Sequence, residues 1–222
     1  MTKTKTTPKW KTAVNRVRRV TIDQLVNCAR AGEHGKSWYD DATLSARAFL
    51  AEAGDDNQTT LNLFSAVVGV TSPRISVERN SMYATAIWTD PSTKPTGCLQ
   101  QSFSKAQRLL NGTDDVDAFL ARGIKSANFA ANISGDLNRC TNDTHIAKIF
   151  DIEGGDLADV RVYAEVSRKI EQAAKVLGWY VAETQAALWT TITEGNPKHR
   201  PSDAGKLSFS DSFEKYRNGL SN

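Results

Sequence analysis

The chain has 222 residues, of which 40% are hydrophobic, and a formal net charge of +3. That is enough apolar material for one substantial core or two small lobes, but no run of about 18 apolar residues exists to serve as a membrane span. Cys28, Cys98 and Cys140 are scattered and form neither a C-x-x-C pair nor a four-ligand set, which argues against a zinc or iron–sulfur site and for a reduced, cytoplasmic compartment with no metal or cofactor. The opening MTKTKTTPKWK has no apolar stretch of the kind a secretory signal needs. Instead residues 1–20 carry Lys3, Lys5, Lys9, Lys11, Arg16, Arg18 and Arg19 with no acid. Two readings stand: a handle for a polyanion, or a solvated flexible tail over residues 1–12.

Periodicity near 3.6 dominates the rest, and no period-2 strand stands out. Residues 14–31 read as one helix. Ser37 and Asp40 form an S-x-x-D start, after which Trp38, Ala42, Phe49 and Leu50 mark a buried face. Leu61, Phe64, Val67 and Val68 predict an apolar helix ending near Gly69. Ser72 reads as an N-cap and Pro73 as the first residue of a helix running to about Trp88. A polar loop over about 89–101 leads to Ser104 and Gln107, a second capping pattern. A break at N-G-T-D-D-V-D precedes a short helix through Leu120. Residues 125–133 read as helix, 134–142 as loop, and Asp143 opens the next helix. Val162, Val166, Ile170, Ala173 and Leu177 share one face over 161–178. A last helix, about 182–193, buries Ala186, Leu188, Trp189 and Ile192. After Gly195 a polar tail follows, 196–222, with a loose basic cluster of Lys198, His199, Arg200 and Lys206. The expectation is an all-α protein of about eight to ten helices, in a single domain over 13–195.

Three blocks carry a resemblance. The segments LFSAVVGVTSPRISVERNSMYATAIW (63–88), SKAQRLL (104–110) and KSAN (125–128) followed by NDTHI (142–146) occur in this order. Over about 63–150 the chain resembles the helix–hairpin–helix DNA glycosylase superfamily, the endonuclease III-like enzymes. It is also similar to small bacteriophage proteins with an S-P-R-x-S-x-E-R-N block. It departs from the superfamily at the hairpin, where LARGIK (120–125) is one residue short and keeps only Gly123. The span between 110 and 125 is also short, and the iron–sulfur cysteines of some members are missing.

The resemblance implies a DNA glycosylase-like helical fold with a cleft between two helical lobes, acting as a monomer on double-stranded DNA with one nucleotide flipped out. It implies that Asp143 stabilises an oxocarbenium-like transition state. It also implies that Lys125 is an amine nucleophile, giving AP-lyase activity, if burial or a neighbouring cation favours its neutral form. Thr71, Ser72, Pro73 and Arg74 occupy the position of the wedge that fills the gap left by the flipped base. Gly123 falls in the hairpin, whose backbone N–H groups meet a DNA phosphate. Arg79 and His145 are candidate DNA or substrate contacts, and a buried Gln185 would read a base edge.

Each residue also has a plainer reading. Asp143 is a good N-cap, Lys125 suits a solvated helix, and His145 suits a structural role. Arg74 and Arg79 suit surface ion pairs. Trp38, Tyr39, Trp179, Tyr180 and Trp189 suit a core. Two other functions remain open: a phage-type enzyme of this fold that hypermodifies bases, and a non-catalytic module that binds DNA or protein.

Overall fold

A computed structural model of the chain describes residues 8–194 and 208–220. Among these residues there are twelve α-helices and no strand, so the all-α expectation stands, with more helices than the eight to ten expected. The helices are α1 (Lys9–Arg19), α2 (Ile22–Ala31), α3 (Trp38–Glu52), α4 (Gln58–Thr71), α5 (Val77–Thr89) and α6 (Gln100–Leu110). They continue with α7 (Val116–Leu120), α8 (Lys125–Ile133), α9 (Thr144–Ile149), α10 (Val160–Leu177), α11 (Val181–Glu194) and α12 (Phe209–Leu220). None is long and apolar enough to cross a membrane.

The helices fall into two compact units, one of the described residues 8–36 with 142–194 and the other of 37–141 with 208–220. In the first unit α10 packs on α1, α2 and α11, and α11 in turn packs on α2 and α9. The stripe read from the sequence forms its centre: Val162, Val166, Ile170 and Ala173 are fully buried, as expected of an amphipathic helix facing a core. Gly178 stops α10 in the left-handed conformation, with φ 69°. Glycine adopts that conformation without a Cβ clash.

The expected single helix over 14–31 is two helices. Val20 turns extended after α1, and Thr21 opens α2 with a reciprocal cap. Its hydroxyl accepts from the Gln24 N–H at 3.2 Å, while the Gln24 side-chain oxygen accepts from the Thr21 N–H at 2.8 Å. The apolar spacing runs through this break, so periodicity alone conceals it. The end of α1 is closed from outside. Buried Lys169 of α10 donates to the carbonyls of Val20 at 2.6 Å and Arg18 at 3.2 Å, satisfying acceptors that a helix C-terminus leaves open.

In the second unit α4 is the central helix, packed by α3, α5, α6, α7 and α8. It is buried on all sides from Phe64 to Thr71, as its almost uninterrupted apolar run requires. A Cβ at Gly69 would lie 2.5 Å from the Ser126 carbonyl oxygen, so this glycine sets how closely α4 and α8 approach. Residues 209–220, expected to lie in a polar tail, form α12 against α3 and α5. Phe209 is fully buried 5.0 Å from the Phe64 ring centre, and Phe213 meets Phe49 at 6.0 Å. The cluster Lys198, His199, Arg200 and Lys206 lies outside the described residues.

Three cap expectations also change. Ser37 does precede α3, but its hydroxyl donates to the Asp41 carboxylate instead of accepting from the helix. Ser104 and Gln107 sit inside α6, where the Gln107 amide donates to the Pro91 carbonyl. Ser72 ends α4, donating to the Gly69 carbonyl at 2.8 Å. The next helix instead begins after Ser76, whose hydroxyl accepts from the Arg79 N–H.

Candidate functional site

The loop between α8 and α9 carries the most distinctive sequence, and asparagines fix both of its ends. In the second unit, buried Asn128 donates to the Cys140 carbonyl at 2.9 Å. Asn132 is fully buried; with its amide turned so that nitrogen faces the carbonyls of Asp136 and Arg139, its oxygen accepts from the Thr141 hydroxyl at 3.1 Å. In the first unit the backbone N–H of Asn142 donates to the Tyr163 hydroxyl at 3.1 Å, and its side chain donates to the Ser167 hydroxyl at 2.8 Å. The residue just before Asp143 is therefore tied to α10 through both its backbone and its side chain. A buried backbone in a loop needs such partners.

Asp143 takes extended dihedrals, φ −122° and ψ −173°, and is the N-cap of α9 as the sequence predicts. Its Oδ1 accepts from the N–H groups of His145 at 2.9 Å and Ile146 at 3.0 Å. The second oxygen is held as well: Oδ2 accepts from the indole N–H of Trp189 at 3.2 Å. The Trp189 ring meets the His145 ring edge-on at 5.9 Å. Asp143, His145 and Trp189 are each half-buried, so the carboxylate is fixed in place yet not sealed in a core. Trp189 was expected in the core; the structure makes it the orienting partner of the candidate acid. No local pattern signals this, because α9 and α11 meet only through folding.

Gln185 lies one turn before Trp189 on α11, on the same face by i,i+4 spacing, and only 3% of it is exposed. The other aromatics of that block differ in surroundings. Tyr180 is 55% exposed. Trp179 carries the Lys36 ammonium 4.9 Å over its ring, and that ammonium lies 3.5 Å from the Glu183 carboxylate.

The remaining candidates belong to the second unit. Lys125 is the first residue of α8 and is exposed, and its preceding residue Ile124 offers no side-chain cap. The lysine is solvated, without the enclosure invoked for an amine nucleophile. Gly123 is exposed and has open space around its Cβ position and no left-handed φ, so the backbone does not demand glycine there.

The wedge-like segment has a firm base and an exposed tip. Thr71 is buried at the end of α4, and its hydroxyl lies 2.8 to 3.1 Å from three acceptors, the Val67 and Val68 carbonyls and the Asn80 side-chain oxygen, which compete for its one proton. Ser72 is 9% exposed. Both hydroxyls therefore serve the fold. At the tip, exposed Arg74 holds φ 66°, a conformation that non-glycine residues seldom adopt. Arg79 is exposed in the first turn of α5. Trp38 stacks on Phe129 at 5.9 Å and Tyr39 is buried beside it, which places both in packing.

Burial pushes the thiols of Cys28 and Cys98 up, which keeps them poor nucleophiles at neutral pH. Among the described residues no group of three His, Cys, Asp or Glu side chains is placed to hold a metal ion. A family model described as a family of unknown function, DUF7178, matches residues 5–196. No curated protein and no solved structure matches the chain.

Proposed function

For this chain, which belongs to the DUF7178 family, we propose DNA base excision centred on Asp143. The reading combines the superfamily resemblance of 63–150 with one observation. Both oxygens of the Asp143 carboxylate are oriented, by the His145 and Ile146 N–H groups on one side and the Trp189 indole on the other. A preoriented, half-exposed carboxylate suits the positive charge that builds on a deoxyribose as its C1′–N bond breaks. The base leaves with the bonding electron pair and takes up a proton, and water adds to C1′ and gives up a proton, leaving an abasic site. The reading carries with it a glycosylase-like arrangement of helices and a cleft that admits an extruded nucleotide. Gln185 and His145 are its candidate base contacts, and the exposed Arg74 its gap-filling side chain.

Lys125 is a separable part of the proposal, because it belongs to the other unit and is solvated. If its amine replaces water at C1′, ring opening gives a Schiff base and strand cleavage follows by elimination.

Incubation of the full chain with oligonucleotides carrying modified and damaged bases, followed by mass spectrometry of released bases, tests the reading. Release that disappears in Asp143→Asn supports it. Borohydride trapping of a protein–DNA adduct, lost in Lys125→Gln, supports the lyase part. Turnover that modifies bases without abasic product would replace excision with modification. DNA binding without turnover on any substrate would leave a binding module.

A further inference from the structure

Helix α1 concentrates positive charge, and the structure separates the charges that serve the fold from those that do not. Its apolar face, Ala13, Val14 and Val17, is buried where α1 packs on α10. Three of its basic residues are used internally: Lys9 meets Glu153 at 2.8 Å and Asp156 at 3.2 Å, Arg18 meets Glu165 at 3.1 Å, and Arg16 meets Asp151 at 3.7 Å. Even the neighbouring guanidinium of Arg161, which lies 3.8 Å over the Trp10 ring, is held by Asp159 at 2.6 Å.

Lys11 and Arg19 are different. Both are exposed, and among the described residues neither meets a carboxylate, although the Lys11 ammonium lies 5.5 Å from the centre of the neighbouring Trp10 ring. With Asn15 between them they form an i, i+4, i+8 row on the outward face, about 12 Å long at 1.5 Å per residue. Lysine, asparagine and arginine are all donors of the kind that contact phosphate oxygens. Lys3 and Lys5 precede α1 in the sequence and lie outside the described residues.

We infer that the outward row of α1 is a sequence-independent contact for the sugar–phosphate backbone of a nucleic acid. An anionic membrane surface is the poorer match: an interfacial helix must insert its apolar face, and that face is already covered by this chain's own core. The inference rests on the nucleic-acid reading above and extends it to a surface outside the candidate site.

The test is fluorescence anisotropy of the full chain with a short unmodified duplex over a range of salt concentrations. The double variant Lys11→Gln/Arg19→Gln is compared with wild type and with Lys175→Gln, an exposed lysine on α10. Neutralising two phosphate contacts flattens the slope of log affinity against log salt by about 2, and Lys175→Gln leaves it unchanged. Circular dichroism melts confirm that the double variant folds. An unchanged slope in a folded double variant overturns the inference, whatever the base-release assay shows. Binding to phosphatidylserine vesicles that this variant loses, with no affinity for duplex, overturns it in favour of a lipid surface. A flattened slope together with failed base release would keep the surface and remove only the catalytic reading.

Discussion

The starts of α8 and α9 look alike in sequence, each a polar turn leading into a short helix, yet their chemistry differs. At α9 the capping side chain is a carboxylate tied by three N–H donors from two helices. At α8 the cap position is Ile124, which ties nothing, and Lys125 extends into solvent. A helix start holds a side chain still only when that side chain repays the restraint by satisfying open N–H groups. Aspartate does so and lysine, which has no acceptor, does not. A group meant to act on a fixed reacting atom is therefore better read at Asp143 than at Lys125.

The largest expected effect tests this contrast directly. Asp143→Asn lowers base release by roughly 10² to 10³-fold, the scale of losing one preorganised electrostatic stabiliser, measured by single-turnover kinetics. The asparagine oxygen still accepts from the His145 and Ile146 N–H groups, while its NH2 faces the Trp189 indole N–H and loses that one bond, so the expected loss of stability is only about 1 kcal/mol. A large loss of stability instead would make Asp143 a cap and nothing more.

A second comparison concerns glycines. A Cβ at Gly32 would run into the backbone carbonyl oxygen of Ala187 in α11, whereas one at Gly123 meets nothing. Gly32→Ala is expected to cost about 1–3 kcal/mol in urea unfolding, while Gly123→Ala is neutral or stabilising by up to about 1 kcal/mol. A severe loss at Gly123 would restore a hairpin role for it. Lys169→Met should cost about 1–3 kcal/mol by stranding the carbonyls of Arg18 and Val20, and the unfolding midpoint reports it.

Comparing Asp143→Ala with Lys125→Ala gives a smaller difference. The first loses about 1 kcal/mol of cap, and the second stays within about 0.5 kcal/mol. Equal losses would erase the contrast between the two helix starts.

The smallest effect is in acid. Hydrogen bonding from the Arg161 guanidinium holds the Asp159 carboxyl down at about 2. A depressed carboxyl stabilises the fold above its unfolded value of about 3.9 and loses that contribution as pH falls toward about 2. Asp159→Asn should flatten this part of an acid titration followed by circular dichroism.

Several elements were legible because they depend on neighbours in the chain. The buried stripe of α10, the limits of α8 and the cap at Asp143 follow from spacing and local donors. The misread caps at Ser37, Ser72 and Ser104 show the limit of capping patterns: within a single turn a serine hydroxyl has several partners in reach, and here it meets the Asp41 carboxylate, the Gly69 carbonyl and the Gln100 amide. For α12, Phe209, Phe213 and Tyr216 already carried helical spacing, but the surrounding polar residues obscured it until Phe64 and Phe49 supplied the apolar face that it covers.

By itself, the sequence determined an all-helical chain, the identity of the acid that opens α9 and the concentration of basic residues in α1, because periodicity, capping and charge act over a few residues. Tertiary structure alone decided that Trp189 orients that acid, that Lys125 is left in water, and which cations of α1 are consumed by carboxylates. Those outcomes depend on contacts between residues far apart in the chain, which no local spacing records.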